Sequence, residues 1–237
     1  MPFGILKQQT DRIEKLDVAL ATMGGMVEQQ LTDALAAFRE RDADLARAVE
    51  LRDAETDQHE RQIEHLVAEL LNERKRSAGE IRRMMAAVRI ASEMERVGDL
   101  AKNISRRSVI IAEADDAGEH GKHAGVARMG QIALRQFSES LDALFRRNAD
   151  AARAVRDADD QVDDIYNSVF RELLTLMNRM PGTASTGTHL IFVAKNFERV
   201  GDHATNIAER VHYALTGEEL PVERVKTDVT ASLIAAE

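Results

Sequence analysis

The sequence predicts an all-α protein made of two similar three-helix bundles related by internal duplication. Three observations carry this. Apolar residues recur at helical spacing over nearly the whole chain, and only 3 Pro interrupt 237 residues. The segment Glu-Arg-Val-Gly-Asp-x-Ala-x-Asn-Ile occurs twice, at 95–104 and at 198–207. Composition agrees: no Cys, no Trp, 4% aromatic residues and much Ala, Leu, Glu and Arg favour helix over turn-rich β structure.

The elements follow in order. Ile13, Leu16, Leu20, Met23, Val27, Leu31, Leu35 and Phe38 form one stripe and predict a helix over about 8–40. Leu45, Val49, Ile63, Leu66 and Leu70 predict a second over about 43–75, and Ile81, Met85, Val88, Ala91, Met94, Ile104 and Ile111 a third over about 79–113. The polar stretch 114–122 has two Gly and no periodicity, so it reads as a linker. Ile132, Phe137, Leu141, Leu144 and Phe145 then mark a fourth helix. Val155, Val162, Ile165, Val169, Leu173 and Leu176 mark a fifth, stopped at Met180-Pro181-Gly182. Leu190, Val193, Phe197, Val200, Ile207, Val211 and Leu215 mark a sixth over about 184–216, closing at Gly217. The expected units are 1–116, 117–217 and a loosely held tail, 218–237.

A second repeated block lies upstream of the first. Ala43-Asp44-Leu45-Ala46-Arg47-Ala48-Val49 matches Ala149-Asp150-Ala151-Ala152-Arg153-Ala154-Val155, which sets Asp53 and Asp57 opposite Asp159 and Asp163. Both blocks keep nearly the same separation, so the duplicated unit is a helical hairpin plus a third helix. Short connections make successive helices antiparallel.

Within the repeat, Glu95, Asp99 and Asn103 stand at i, i+4 and i+8 and share one helix face. Glu198, Asp202 and Asn206 do the same, and each Asp pair upstream again has i, i+4 spacing. Where these stripes face each other, the concentrated negative charge calls for something positive. Oxygen donors suit hard cations such as magnesium, calcium, manganese or ferric iron. The plainer alternative stays open: a solvated acidic face in which Arg61, Arg96 or Arg106 pairs with the carboxylates. Each copy also carries a mid-helix glycine, Gly98 and Gly201, which costs about 1 kcal/mol relative to Ala. A glycine kept twice points to close approach of another backbone or a crowded ligand shell, and tight helix packing alone would also explain it.

Other features carry less. His203 stands where the first copy has Leu100 and is expected to face water, and His212 is expected to be a surface histidine. His59-Glu60-Arg61-Gln62-Ile63 lacks the second His of a zinc protease motif. The Met residues read as core filler. A net charge of −9 argues against nucleic-acid binding. The start Met1-Pro2-Phe3-Gly4-Ile5-Leu6-Lys7 is not a signal peptide, and no run of about 18 apolar residues marks a membrane span, so a cytoplasmic location is expected.

The stretches 90–99 and 190–209, with Glu95-Arg96-Val97-Gly98-Asp99 and Glu198-Arg199-Val200-Gly201-Asp202 at their centres, resemble the two signature stretches of the PhoU family, regulators of bacterial phosphate uptake and signalling. The resemblance spans essentially the whole chain. It departs from the family pattern at Arg76-Ser77-Ala78-Gly79-Glu80-Ile81-Arg82, a loose match that leaves the start of the third helix open. It implies metal clusters of iron, manganese, magnesium or zinc. Their ligands, carried over by position, are Asp53, Asp57, Glu95 and Asp99, and Asp159, Asp163, Glu198 and Asp202, with Asn103 and Asn206 as further ligands. It also implies a non-catalytic adaptor between the ATPase subunit of a phosphate ABC transporter and a phosphate-sensing histidine kinase, repressing phosphate-starvation genes and reaching the membrane only through these partners. The Ala- and Leu-rich helix faces allow a homodimer. The competing classes are a metal-dependent enzyme on a helical carboxylate scaffold, disfavoured by the scarcity of His in the motifs, and a metal-free structural bundle.

Overall fold

The computed structural model describes residues 3–72, 76–114, 124–158 and 160–221, the side chains of 3–12, 53–54 and 160–161 excepted. Helix α1 spans Phe3–Glu40, α2 Ala43–Leu51, α3 Asp53–Leu71 and α4 Ala78–Glu113. The second half repeats the order, with α5 at Ala124–Phe145, α6 at Ala149–Asp157, α7 at Asp160–Arg179, a 3₁₀ turn at Pro181–Thr183 and α8 at Ala184–Thr216. Among the described residues there is no strand. The expected linker from 115 onward, the boundary at 116/117 and the tail beyond Pro221 lie outside the described residues.

The first corner of each half is built alike. Arg41 and Arg147 adopt left-handed backbone angles, with φ of 58° and 51°. The following N–H closes back on the helix just ended: Asp42 N donates to Ala37 O, and Asn148 N to Ala143 O, both at 3.0 Å. This is a Schellman-type stop with arginine in the place glycine usually takes. The same two residues then start the next helix. Asp42 Oδ1 accepts from the N–H groups of Asp44 and Leu45, and Asn148 Oδ1 from those of Asp150 and Ala151. The Arg41 guanidinium reaches Ile111 O at 2.7 Å, covering a carbonyl that α4 leaves open at its C-terminal end. A glycine at this corner would avoid the left-handed strain but could not make that bond.

The helices expected as single rods in the middle of each half are broken. Arg52 separates α2 from α3, where Arg52 N bonds Val49 O and Glu55 N bonds Arg52 O, both at 3.2 Å and both spanning three residues instead of four. Ala158 N bonds Val155 O in the same way between α6 and α7. The apolar stripe had already fallen silent here, since between Val49 and Ile63 the buried position is held by a threonine, Thr56, 1% exposed. At the start of α4, the loosely matching 76–82 stretch is a capping box: Glu80 N donates to Ser77 Oγ and Ser77 N to Glu80 Oε2.

α1 runs parallel to α4, with α2–α3 antiparallel to both, and α5, α6–α7 and α8 repeat this. The two halves lie side by side and head to tail. Contacts of α1 on α5 pair Gly24 with Leu141, Glu28 with Ser138 and Leu35 with Gly130, so one helix ascends as the other descends. α4 packs along α8, again antiparallel. The buried apolar side chains of both halves therefore form one continuous core. Phe38 meets Phe197 edge-on across the junction, their centroids 6.4 Å apart. Gly130 is required beside them, because a Cβ there would lie 2.6 Å from Leu35 and 2.8 Å from Phe197. Among the described residues no helix is long and apolar enough to cross a membrane.

Candidate metal-binding faces

The duplicated motifs lie midway along the two central helices. Glu95, Asp99 and Asn103 are half-buried on α4, and Glu198, Asp202 and Asn206 half-buried on α8. The first turns of α3 and α7 bring Asp57 and Asp163 alongside. A Cβ built on Gly98 would stand 3.3 Å from Thr56 Cγ2, so the first turns of α3 press on α4 next to Asp99. Asp57 follows Thr56 directly and is half-buried. In the second half a Cβ on Gly201 would stand 3.5 Å from Val162 Cγ2, with half-buried Asp163 and Asp202 as the next residues. Asp53 opens α3 with its side chain outside the described set, and Asp159 lies outside the described residues.

In both halves, at matching places, the helix pair carries half-buried carboxylates beside its point of contact. Local lysines attend them: Lys102 Nζ is 3.3 Å from Asp99 Oδ1, and Lys195 Nζ is 2.8 Å from Glu198 Oε1. Exposure divides the pairs. The Asp99 side chain is 51% exposed, so its pair is worth little, whereas that of Glu198 is 11% exposed and its lone pairs are shielded from water. Among the described residues no three His, Asp or Glu side chains come together as an ion-holding group. What fits a hard cation is the donor chemistry, half-buried carboxylate and amide oxygens on two adjoining helices.

Sequence reasoning missed the residues that crowd the two glycines. Gln30 on α1 and Gln136 on α5 are buried at matching positions, each 3% exposed. A Cβ on Gly98 would lie 3.3 Å from Gln30 Oε1, and one on Gly201 would lie 3.1 Å from Gln136 Oε1. The close neighbours are thus amide side chains rather than another backbone. Both glutamines sit off the apolar stripe logic, and only aligning α1 with α5 would have singled them out.

The two histidines expected at the surface are buried, His203 at 8% and His212 at 4% exposure. His203 Nδ1 lies 2.5 Å from Glu93 Oε2 on α4, and Asn206 Nδ2 donates to the same oxygen at 3.3 Å. Asn206, expected as a ligand, thus turns its amide N–H toward the other half. Burial pushes the Glu93 carboxyl up, but the hydrogen bonds from His203 and Asn206, with the charges of His203 and Arg96, outweigh it and hold the group below its usual range. His212 bridges instead to Arg153 Nη2 at 3.4 Å and Glu218 O at 3.1 Å, fastening the end of α8. Both imidazoles were misjudged for one reason: helical spacing places them beside the core, but only the packing of α4 and α6 against α8 covers them.

Known proteins match this arrangement over its whole length. The sequence matches the PhoU domain over residues 20–108 and again over 126–211, once per half. The phosphate-specific transport system accessory protein PhoU homolog of Caulobacter vibrioides is 41% identical over 224 residues, covering 94% of this chain and 96% of its own. The Rhizobium meliloti homolog of the same name is 38% identical over 229 residues, covering 97% and 96%. The crystal structure of PhoU from Pseudomonas aeruginosa superposes with a TM-score of 0.84 at 32% identity, over 88% of this chain and 99% of that one. With two copies of the domain, full-length kinship and a shared fold, this chain belongs to the PhoU family.

Proposed function

We propose that the protein is an accessory and regulatory component of a phosphate-specific transport system. It acts in the cytoplasm as a non-catalytic adaptor, coupling the ATPase subunit of the transporter to a phosphate-sensing histidine kinase and holding phosphate-starvation genes down when phosphate is plentiful. The observation that carries this is near full-length kinship to proteins named for that accessory role, at 41% identity across both domains. Capture from phosphate-replete and phosphate-starved cells tests it. The transporter ATPase and the kinase should co-purify, in proportions that change with phosphate. Recovery of neither in either condition would overturn the adaptor role, and a reproducible turnover lost on removing Asp99 and Asp202 would replace it with an enzyme.

The two acidic faces are proposed to hold metal ions. Asp53, Asp57, Glu95, Asp99 and Asn103 would serve the first face, and Asp159, Asp163, Glu198, Asp202 and Asn206 the second. A bound cation would supply positive charge between helices that otherwise repel, and an anchor for an anionic group of a partner. Support comes from the duplication itself, since the same carboxylates flank the same helix–helix contact in each half. Local lysine pairing accounts for Asp99 and Glu198 and leaves open why the pattern recurs in register on both helices.

A further inference from the structure

Two buried glutamines stand behind the acidic faces: Gln30 touches both helices that form its face, and Gln136 touches α8 and the break that precedes α7. On the α4 side, Gln30 Oε1 abuts Gly98, the residue before Asp99. On the α3 side it accepts a hydrogen bond from Thr56 Oγ1 at 3.2 Å, the residue before Asp57. In the other half, Gln136 Oε1 abuts Gly201, the residue before Asp202. Its Nε2 donates to Ala158 O at 3.0 Å, the carbonyl at the break between α6 and α7. A break leaves carbonyls without helical partners, and a buried one is costly unless something donates to it. Gln136 Oε1 has no conventional hydrogen-bond donor among the described residues. It lies against Gly201, where an added Cβ would stand 3.1 Å from it.

We propose that Gln30 and Gln136 are positioning residues for the two metal faces: each fixes the first turn of α3 or α7 against α4 or α8, so that Asp57 or Asp163 is held toward the carboxylates beside the glycine. Gly98 and Gly201 are kept for the same reason, as sockets for the amide oxygens. This rests on the metal-binding proposal above, and the duplication provides its internal control, because each glutamine serves one face alone.

Manganese(II) is a suitable probe, titrated into the full chain with bound and free ion distinguished by electron paramagnetic resonance. Amide hydrogen exchange across the α2–α3 and α6–α7 junctions is measured in parallel. Gln136→Met keeps the volume and removes the hydrogen bond. It is expected to weaken binding at the second face about ten- to a hundredfold, as loss of a group that orients ligands does. Exchange should quicken at the α6–α7 junction, while the first face and its junction stay unchanged. Gln30→Met should produce the mirror result. Gly201→Ala, which pushes the amide oxygen away without touching a ligand or the glutamine, should act in the same direction as Gln136→Met and serves if that variant fails to fold. Wild-type protein that binds no manganese would overturn the metal reading and this proposal together. Wild-type binding with unchanged affinity and exchange in Gln136→Met or Gly201→Ala would overturn this proposal alone, and so would equal weakening at both faces.

Discussion

Glu93 on α4 and His203 on α8 meet at 2.5 Å, and this largely shielded polar pair ties the first half of the molecule to the second. It sits in the antiparallel seam between the two central helices, where Asn206 also bonds Glu93 and Arg107 lies 3.2 Å from His189. Such a pair selects one alignment of the halves, because sliding either helix by a turn would leave a carboxylate buried without a partner.

The pair makes stability depend on pH in a defined sense. The Glu93 carboxyl titrates below its ordinary value of 4.5 in the folded chain. Its contribution is therefore fully present above that value and is lost as pH falls through the lower folded value. Glu93→Gln should unfold at lower urea concentration than wild type at pH 7, by about 1–3 kcal/mol. The gap should narrow toward pH 3. A gap constant between pH 7 and pH 3 would contradict the assignment.

Gly130 gives the packing test. Its missing Cβ admits both Leu35 and Phe197, so Gly130→Val should overpack the seam and cost about 1–3 kcal/mol or more. Thermal unfolding followed by circular dichroism measures this. A wild-type melting temperature would show that α5 stands further from α1 and α8 than described.

The corner caps should be separable from the core. Asp42→Ala and Asn148→Ala each remove two bonds to helix-start N–H groups and should each cost about 1 kcal/mol. The two sites are far apart in structure, so their effects in the double variant should add within about 0.5 kcal/mol. Equilibrium urea denaturation tests both points.

Metal content tests the acidic faces directly. Elemental analysis of the purified double variant Asp99→Ala, Asp202→Ala should show both faces depleted relative to wild type. Each single variant should lose about half. Wild-type metal content in the double variant would sink the ligand assignment.

Much of the architecture is legible before any coordinates. Six stripes of apolar residues, two stops at Gly or Pro and a segment repeated in register define the long helices to within a few residues, because helix formation and burial leave local periodic signs. The breaks at Arg52 and Ala158 leave a weaker one. Thr56 does the work of an apolar residue there, and a threonine in a polar run carries no stripe. Gln30 and Gln136 were invisible for a related reason: a buried glutamine interrupts hydrophobic periodicity, and its partners, Thr56 and Ala158, lie more than 20 residues away. His203 and His212 looked exposed because the cover over them comes from α4 and from α6, helices distant in the chain.

By itself the sequence determined the all-helical class, the duplication and which carboxylates share a helix face, since all three depend on spacing along one chain. Tertiary structure decided how the halves align, head to tail with α4 on α8. It also decided what the twin glycines accommodate and that His203 reaches across to the other half. Those are contacts between residues distant in sequence, set by shape and desolvation where helices meet, and no periodicity within a single helix encodes them.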